Sequence, residues 1–288
     1  MGHNGPGRHR AAGSGVALAV RQWGEPDAQP VLLLHGYFGD GRSWDGPTAA
    51  LRQRGIGRHW LAVDLPGHGR SCDDWPETNE PAWPWLWRQL DGIAAGLDRP
   101  PLVIGYSMGA RIAASWALAH ELDGVRPNIA GLVLESGHPG LGPQAARERV
   151  AADDALADRL AKLQPADAVH LWESQPVLAG QAARMEYGQH AGIEDQRAIR
   201  LGQDPSALAL ALRLWGTGTM PDLRNRPPRP ELPAMILTGE MDAKFSALAA
   251  EWSKVLPNAQ LVSVPGAGHP VSLERTSAWA AAVAEWAI

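Results

Sequence analysis

The chain predicts an α/β fold built on a mostly parallel sheet, and three observations carry that prediction. Short apolar runs of strand length recur at residues 31–34, 60–63, 102–106, 130–135, 235–238 and 261–264, and helical segments separate most of them. The runs are nearly continuous rather than alternating, the pattern of strands buried on both faces. One of them breaks into Gly105-x-Ser107-x-Gly109. Two glycines there allow a sharp strand-to-helix turn that pushes the Ser107 side chain out at the carboxyl end of the sheet. With 288 residues there is room for one large α/β domain carrying an insertion, or for two smaller domains.

Residues 1–15 are rich in Gly, Arg and His and read as a disordered lead; the apolar stretch 16–20 is too short and broken for a signal peptide. Residues 16–23 can form a first strand, turned by Gly24-Glu25-Pro26-Asp27 into the central strand 31–34, which ends in His35-Gly36-Tyr37-Phe38-Gly39. Strand 60–63 leads into the glycine-punctuated loop 64–71, and a helix is expected over 86–97. The serine strand 102–106 feeds a helix over 111–120 whose apolar content implies burial on several sides, and 130–135 is the next strand. This succession resembles the α/β-hydrolase pattern.

From 142 to 225 the pattern turns helical, at 145–163, 166–171 and 206–214, without convincing strands. We expect a helical cap there, inserted before the last two strands, with the α/β-hydrolase core formed by 16–141 and 226–288. The Pro-rich stretch 226–233 can be neither helix nor central strand and marks the return to the sheet. Strands 235–238 and 261–264 follow. Trp279, Val283 and Trp286 then stand at helical spacing and form an apolar face to dock on the sheet.

Composition narrows the function classes. A net charge of -5 gives no electrostatic reason to expect nucleic acid. One cysteine, Cys72, excludes an internal disulfide and suits a reducing compartment. No run approaches the ~18 apolar residues of a membrane span, so the cytoplasm is the expected location. His35, His68 and His138 lack metal-ligand spacing, and Gly216-x-Gly218 lacks the strand and third glycine of a dinucleotide site. No metal and no cofactor are expected. Trp75, Trp83, Trp85 and Trp87 read as packing, because the neighbouring acids deny them a basic groove for stacked bases.

A serine hydroxyl becomes a nucleophile or base only when an imidazole can take its proton, and that imidazole needs a carboxylate to orient it. Asp242, after the penultimate strand, and His269, after the last one, complete the order Ser, Asp, His at strand carboxyl ends. Glu240 and Glu135 are the competing acids. Charge developing on a substrate oxygen would be met by backbone N–H groups, from Met108 beside the serine and from Tyr37 in the loop after the central strand.

At this point the residues resemble a narrower family, the 2-succinyl-6-hydroxy-2,4-cyclohexadiene-1-carboxylate synthases of menaquinone biosynthesis. The carriers are Leu34-His35-Gly36-Tyr37-Phe38-Gly39, Asp64-Leu65-Pro66-Gly67-His68-Gly69, Gly105-Tyr106-Ser107-Met108-Gly109-Ala110-Arg111, Glu135-Ser136-Gly137-His138-Pro139-Gly140-Leu141, Gln175-Pro176-Val177 and Gly239-Glu240-Met241-Asp242-Ala243-Lys244-Phe245. Arginine directly after the serine motif, the His-Pro-Gly-Leu turn and Asp-x-Lys-Phe are the narrow signals. The sequence departs from the family pattern at Ala110, where a second glycine is usual, and at Pro270 after His269.

The resemblance implies a lyase that removes pyruvate from 2-succinyl-5-enolpyruvyl-6-hydroxy-3-cyclohexene-1-carboxylate, so that the serine and histidine serve proton abstraction. Such a substrate carries several carboxylates and calls for guanidinium forks. Arg111, four residues after Ser107, is the first candidate. The family pattern adds Arg149 and Arg200 in the cap, with Trp172 and Tyr106 lining the same pocket. The alternative is a serine hydrolase of the same fold, acting on esters or carbon–carbon bonds. From 142 to 229 basic and acidic residues number eleven each, so only the disposition of individual arginines can make the site basic.

Overall fold

The computed structural model describes residues 17–121, 126–178, 180–181 and 190–287; the expected lead at 1–15 lies outside them. Seven strands form one sheet: β1 (Val20–Gly24), β2 (Pro30–Leu34), β3 (His59–Val63), β4 (Leu102–Tyr106), β5 (Gly131–Glu135), β6 (Ala234–Gly239) and β7 (Gln260–Val264). Their order is β1-β3-β2-β4-β5-β6-β7. β1 pairs antiparallel with β3 and every other pair is parallel.

β2, β5 and β6 are buried along their whole length. Successive strand residues point to opposite faces. Leu32, Leu34 and Val103 accordingly feed one core together with Leu90 and Trp116. Val31, Leu33 and Ile104 feed the other with Trp44, Trp279 and Val283, and Trp286 packs against it. The first face is covered by α2 (Ala82–Ala95) and α3 (Met108–Ala119), the second by α1 (Asp45–Gln53) and a C-terminal helix at Thr276–Ala287.

Between β5 and β6 lie four helices among the described residues, α4 (Pro143–Leu160), α5 (Pro165–Glu173), α6 (His190–Leu201) and α7 (Pro205–Trp215); α8 (Ala243–Trp252), the single turn α9 (Val271–Glu274) and α10 (Thr276–Ala287) follow. α4, α5 and α7 each open on a proline in the first turn, where its missing N–H costs nothing. α1, α6 and α8 have no counterpart in the sequence pattern. Gly46 and Pro47 obscure α1, but both fall within its first turn, where they are tolerated. α2 begins at Ala82 for the same reason, with Pro84 in its first turn.

Contacts from the loops after β2 and β3 help tie these helices to the sheet. Phe38, from the loop after β2, joins Ala157, Leu160, Val169, Leu208 and Leu212 in a third apolar cluster. Gln203, buried after α6, accepts the Gly69 N–H at 2.9 Å and donates to Asp40 Oδ2 at 3.2 Å. The tryptophans are packing elements: Trp83, Trp85 and Trp87 are buried, and Trp75 stacks on Trp215 of α7 at 6.0 Å. Among the described residues no helix is long and apolar enough to cross a membrane.

Candidate active site

The parallel strands deliver the candidate residues to one end of the sheet. β4 turns into α3 at Ser107, whose φ of 51° is a conformation L-residues rarely adopt. The turn is held by the Ser107 N–H donating to the Glu135 carbonyl at 2.8 Å. A Cβ on Gly105 would stand 2.5 Å from the Gly109 carbonyl oxygen, and one on Gly109 only 2.0 Å from that of Leu34. Both glycines are therefore required by close backbone approach.

His269 and Asp242 reach this serine from the loops after β7 and β6. His269 Nε2 lies 2.9 Å from Ser107 Oγ, and Nδ1 lies 2.8 Å from Asp242 Oδ2. With the carboxylate accepting the Nδ1 proton, Nε2 is left as the acceptor for the serine hydroxyl. Asp242 also caps α8, its Oδ1 accepting the Phe245 N–H at 3.3 Å. The imidazole is packed by the Phe245 ring at 4.5 Å and the Tyr106 ring at 5.5 Å, and the Ser136 hydroxyl donates to the His269 carbonyl at 2.7 Å. Of the competing acids, Glu135 accepts from Ser272 N and Oγ, and Glu240 accepts from Gly266 N. The N–H groups of Tyr37 and Met108 have no acceptor among the described residues, while the Tyr37 hydroxyl donates to the Leu208 carbonyl of α7 at 2.7 Å.

A cavity of about 590 Å³ opens over Ser107 and His269, between the sheet and α4 to α7. Among the described residues four cations line it, Arg111, Arg149, Arg200 and Lys244, against one acid, Asp242. Each cation is held differently. Arg111 donates to the Trp215 carbonyl at 2.9 Å and has no carboxylate within ion-pair distance among the described residues. Burial first, and Arg149 second, push its guanidinium down to about 10. Arg149 pairs with Asp153 one turn along α4 at 2.8 Å. Arg200 is nearly buried, pairs with Glu173 at 2.9 Å, and keeps a buried Nε without a partner. Lys244 lies over the Phe245 ring at 5.4 Å.

Trp172 stacks on Phe38 at 5.4 Å, meets Tyr37 edge-on at 5.1 Å, and lines the cavity with Tyr106. Thus all ten residues singled out in the sequence face one space. Lys244 and His138, also on its wall, were not singled out as site residues. Their signal was membership of the Asp-x-Lys-Phe and His-Pro-Gly-Leu motifs. Among the described residues no group of three or more His, Cys, Asp or Glu converges as metal ligands would.

Comparison with known proteins agrees with this architecture. The alpha/beta hydrolase family matches residues 31–285. The chain is 33% identical over 273 residues to the 2-succinyl-6-hydroxy-2,4-cyclohexadiene-1-carboxylate synthase of Serratia proteamaculans (strain 568), covering 92% of this chain and 96% of that one. It is likewise 33% identical over 238 residues to the synthase of the same name from Salmonella paratyphi C (strain RKS4594), covering 79% and 83%. Among solved structures, MenH from S. aureus superposes with a TM-score of 0.78 at 28% identity, covering 93% of this chain and 97% of that one.

Proposed function

The chain belongs to the alpha/beta hydrolase family and, within it, to the 2-succinyl-6-hydroxy-2,4-cyclohexadiene-1-carboxylate synthases, and from that premise we propose that it is a carbon–oxygen lyase. Its substrate is 2-succinyl-5-enolpyruvyl-6-hydroxy-3-cyclohexene-1-carboxylate, from which it eliminates pyruvate. The observation that carries this reading is Arg111, a half-buried guanidinium that donates to a carbonyl and has no carboxylate within ion-pair distance among the described residues. A charge held partly out of water with no directly paired carboxylate is costly, and an anionic substrate supplies that partner.

In the proposed reaction His269 takes the Ser107 proton, and the serine oxygen removes the acidic ring proton beside the succinyl ketone. The electron pair of that C–H bond delocalises onto the ketone oxygen, where the N–H groups of Tyr37 and Met108 receive it. As the enolate collapses, C2–C3 and C4–C5 of the ring become double bonds, the C3–C4 double bond becomes single, and the bond from C5 to the enolpyruvyl oxygen breaks. The His269 imidazolium gives up its proton to the departing enolpyruvate, which becomes pyruvate and leaves Ser107 and His269 in their starting forms. Asp242 stabilises the imidazolium throughout, and no water is consumed. Arg111, Arg149 and Arg200 hold the carboxylates, Trp172 and Tyr106 fill the apolar space, and the helices of residues 142–225 serve as the cap that closes the site.

The same relay would serve an ester hydrolase, so the test runs both reactions. Incubation with the enolpyruvyl substrate should release pyruvate at a rate far above turnover of a simple aryl ester, and Ser107→Ala should abolish the release. Ester turnover without pyruvate release sinks the lyase reading. Arg111→Ala removes a charge-assisted contact worth about 1.5–3 kcal/mol, so the KM for the anionic substrate should rise about 10- to 150-fold. An unchanged KM would remove Arg111 from the site.

A further inference from the structure

We propose that His138 is a substrate-binding residue, a neutral imidazole whose Nε2–H donates to a carboxylate oxygen held among Arg111, Arg149 and Lys244. The inference rests on the anionic substrate proposed above and adds to the cationic groups a donor of a different kind.

His138 sits three residues past the end of β5, on the cavity wall that Ser107 and His269 share. The Gly140 N–H donates to its Nδ1 at 3.1 Å, so Nδ1 carries no proton and the ring proton resides on Nε2. That nitrogen has no partner among the described residues, although the ring is nine-tenths buried. His35 provides the contrast. It is wholly buried and structural, and both of its nitrogens are used, by the Gly36 carbonyl at 2.8 Å and the Leu65 N–H at 2.9 Å. His138 satisfies the loop with one nitrogen and offers the other to the cavity.

Its surroundings keep the ring uncharged. Burial, then the positive charges of Lys244, Arg111, Arg224 and Arg149, lower its basicity to about 4. The backbone aims it as well. Ser136, two residues earlier, holds a φ of 51° and is tied through its hydroxyl to the His269 carbonyl, so this loop and the histidine loop are positioned together. A Cβ on Gly137 would stand 3.0 Å from the Ala110 side chain, which brings the turn tightly against α3. A fixed neutral donor among cations gives a carboxylate directional hydrogen bonding without adding a fifth charge to the wall.

The test uses a tricarboxylate probe, tricarballylate, whose binding is measured by calorimetry and does not require the lyase reaction. Gln places an N–H near the Nε2 position, whereas Phe keeps the ring shape and has no donor. His138→Phe should weaken tricarballylate binding about tenfold or more, and His138→Gln should stay within about threefold of the wild type. Nitrogen NMR of the wild-type protein with labelled histidine should show His138 protonated at Nε2 and bare at Nδ1, with the Nε2–H signal moving as tricarballylate is added. This readout stands even if the Phe variant does not fold. Equal binding by wild type and His138→Phe, binding by neither, or an Nε2–H signal indifferent to the probe overturns the assignment. Loss of binding in the Phe variant without pyruvate release by the wild type would uphold His138 as an anion contact while refuting the lyase.

Discussion

Glu135 closes β5 with a carboxyl group that is wholly buried, and replacing it by glutamine tests the electrostatics of this fold quantitatively. Its Oε1 accepts from Ser272 N at 2.9 Å and from Ser272 Oγ at 3.0 Å. Burial outweighs these bonds and raises the carboxyl from 4.5 to about 8. Between those values the unfolded chain releases a proton that the folded chain keeps. Stability from this group is therefore full below pH 4.5, is lost as pH rises, and levels off above about 8. At about 1.4 kcal/mol per pH unit the loss reaches about 5 kcal/mol, of which about 3 has accrued by pH 7. Glu135→Gln is neutral at every pH and keeps an acceptor for Ser272. Its stability relative to the wild type should climb by about 5 kcal/mol from about pH 4.5 to above pH 8. Urea unfolding followed by tryptophan fluorescence at several pH values measures that difference. A difference that stays constant across the range refutes the reasoning. Pyruvate release should survive the substitution, because the carboxylate hydrogen-bonded to His269 belongs to Asp242.

Three other substitutions probe the site and its scaffold. Asp242→Asn removes the carboxylate charge and lets an amide N–H donate to His269 Nδ1, fixing the wrong tautomer, and should lower kcat for pyruvate release by about 10³- to 10⁴-fold with a small change in KM; a loss below about tenfold would remove Asp242 from the relay. Gly109→Ala places a methyl 2.0 Å from the Leu34 carbonyl oxygen, a backbone clash that should cost about 3 kcal/mol or more, read as a fall in Tm; an unchanged Tm would contradict the close approach. Gln203→Ala leaves the Gly69 N–H and Asp40 Oδ2 without this contact and should cost about 1–3 kcal/mol of stability. Because Gln203 follows the helix that carries Arg200, KM for the anionic substrate should rise more than kcat falls, and an unchanged KM would show that the contact does not position α6.

Much of this protein was legible before any coordinate. Buried parallel strands need continuous apolar runs, and a turn at which an added Cβ would stand 2.5 Å or less from backbone oxygen needs glycine at 105 and 109, so both signals are written in nearby residues. Ser107, Asp242 and His269 could be picked out because each lies within five residues of the carboxyl end of a parallel strand. Helices were less legible where breakers fall in a first turn, as at Gly46 and Pro47 of α1, since only the realised boundary shows that the turn tolerates them.

Charge was the least legible feature. A balanced run of acids and bases across 142–229 says nothing about which arginine meets a carboxylate. The folded chain places Asp153 on Arg149 and Glu173 on Arg200, and leaves Arg111 with a carbonyl. It also turns His138 so that one nitrogen serves the loop and the other the cavity. The sequence by itself determined the sheet, the serine turn and the order in which Ser107, Asp242 and His269 follow their strands, because sterics and strand burial act over neighbouring residues. Only the tertiary structure decided which charges share the cavity and which are spent on partners, because those pairings join residues from separate helices and loops whose contact depends on how the whole chain packs.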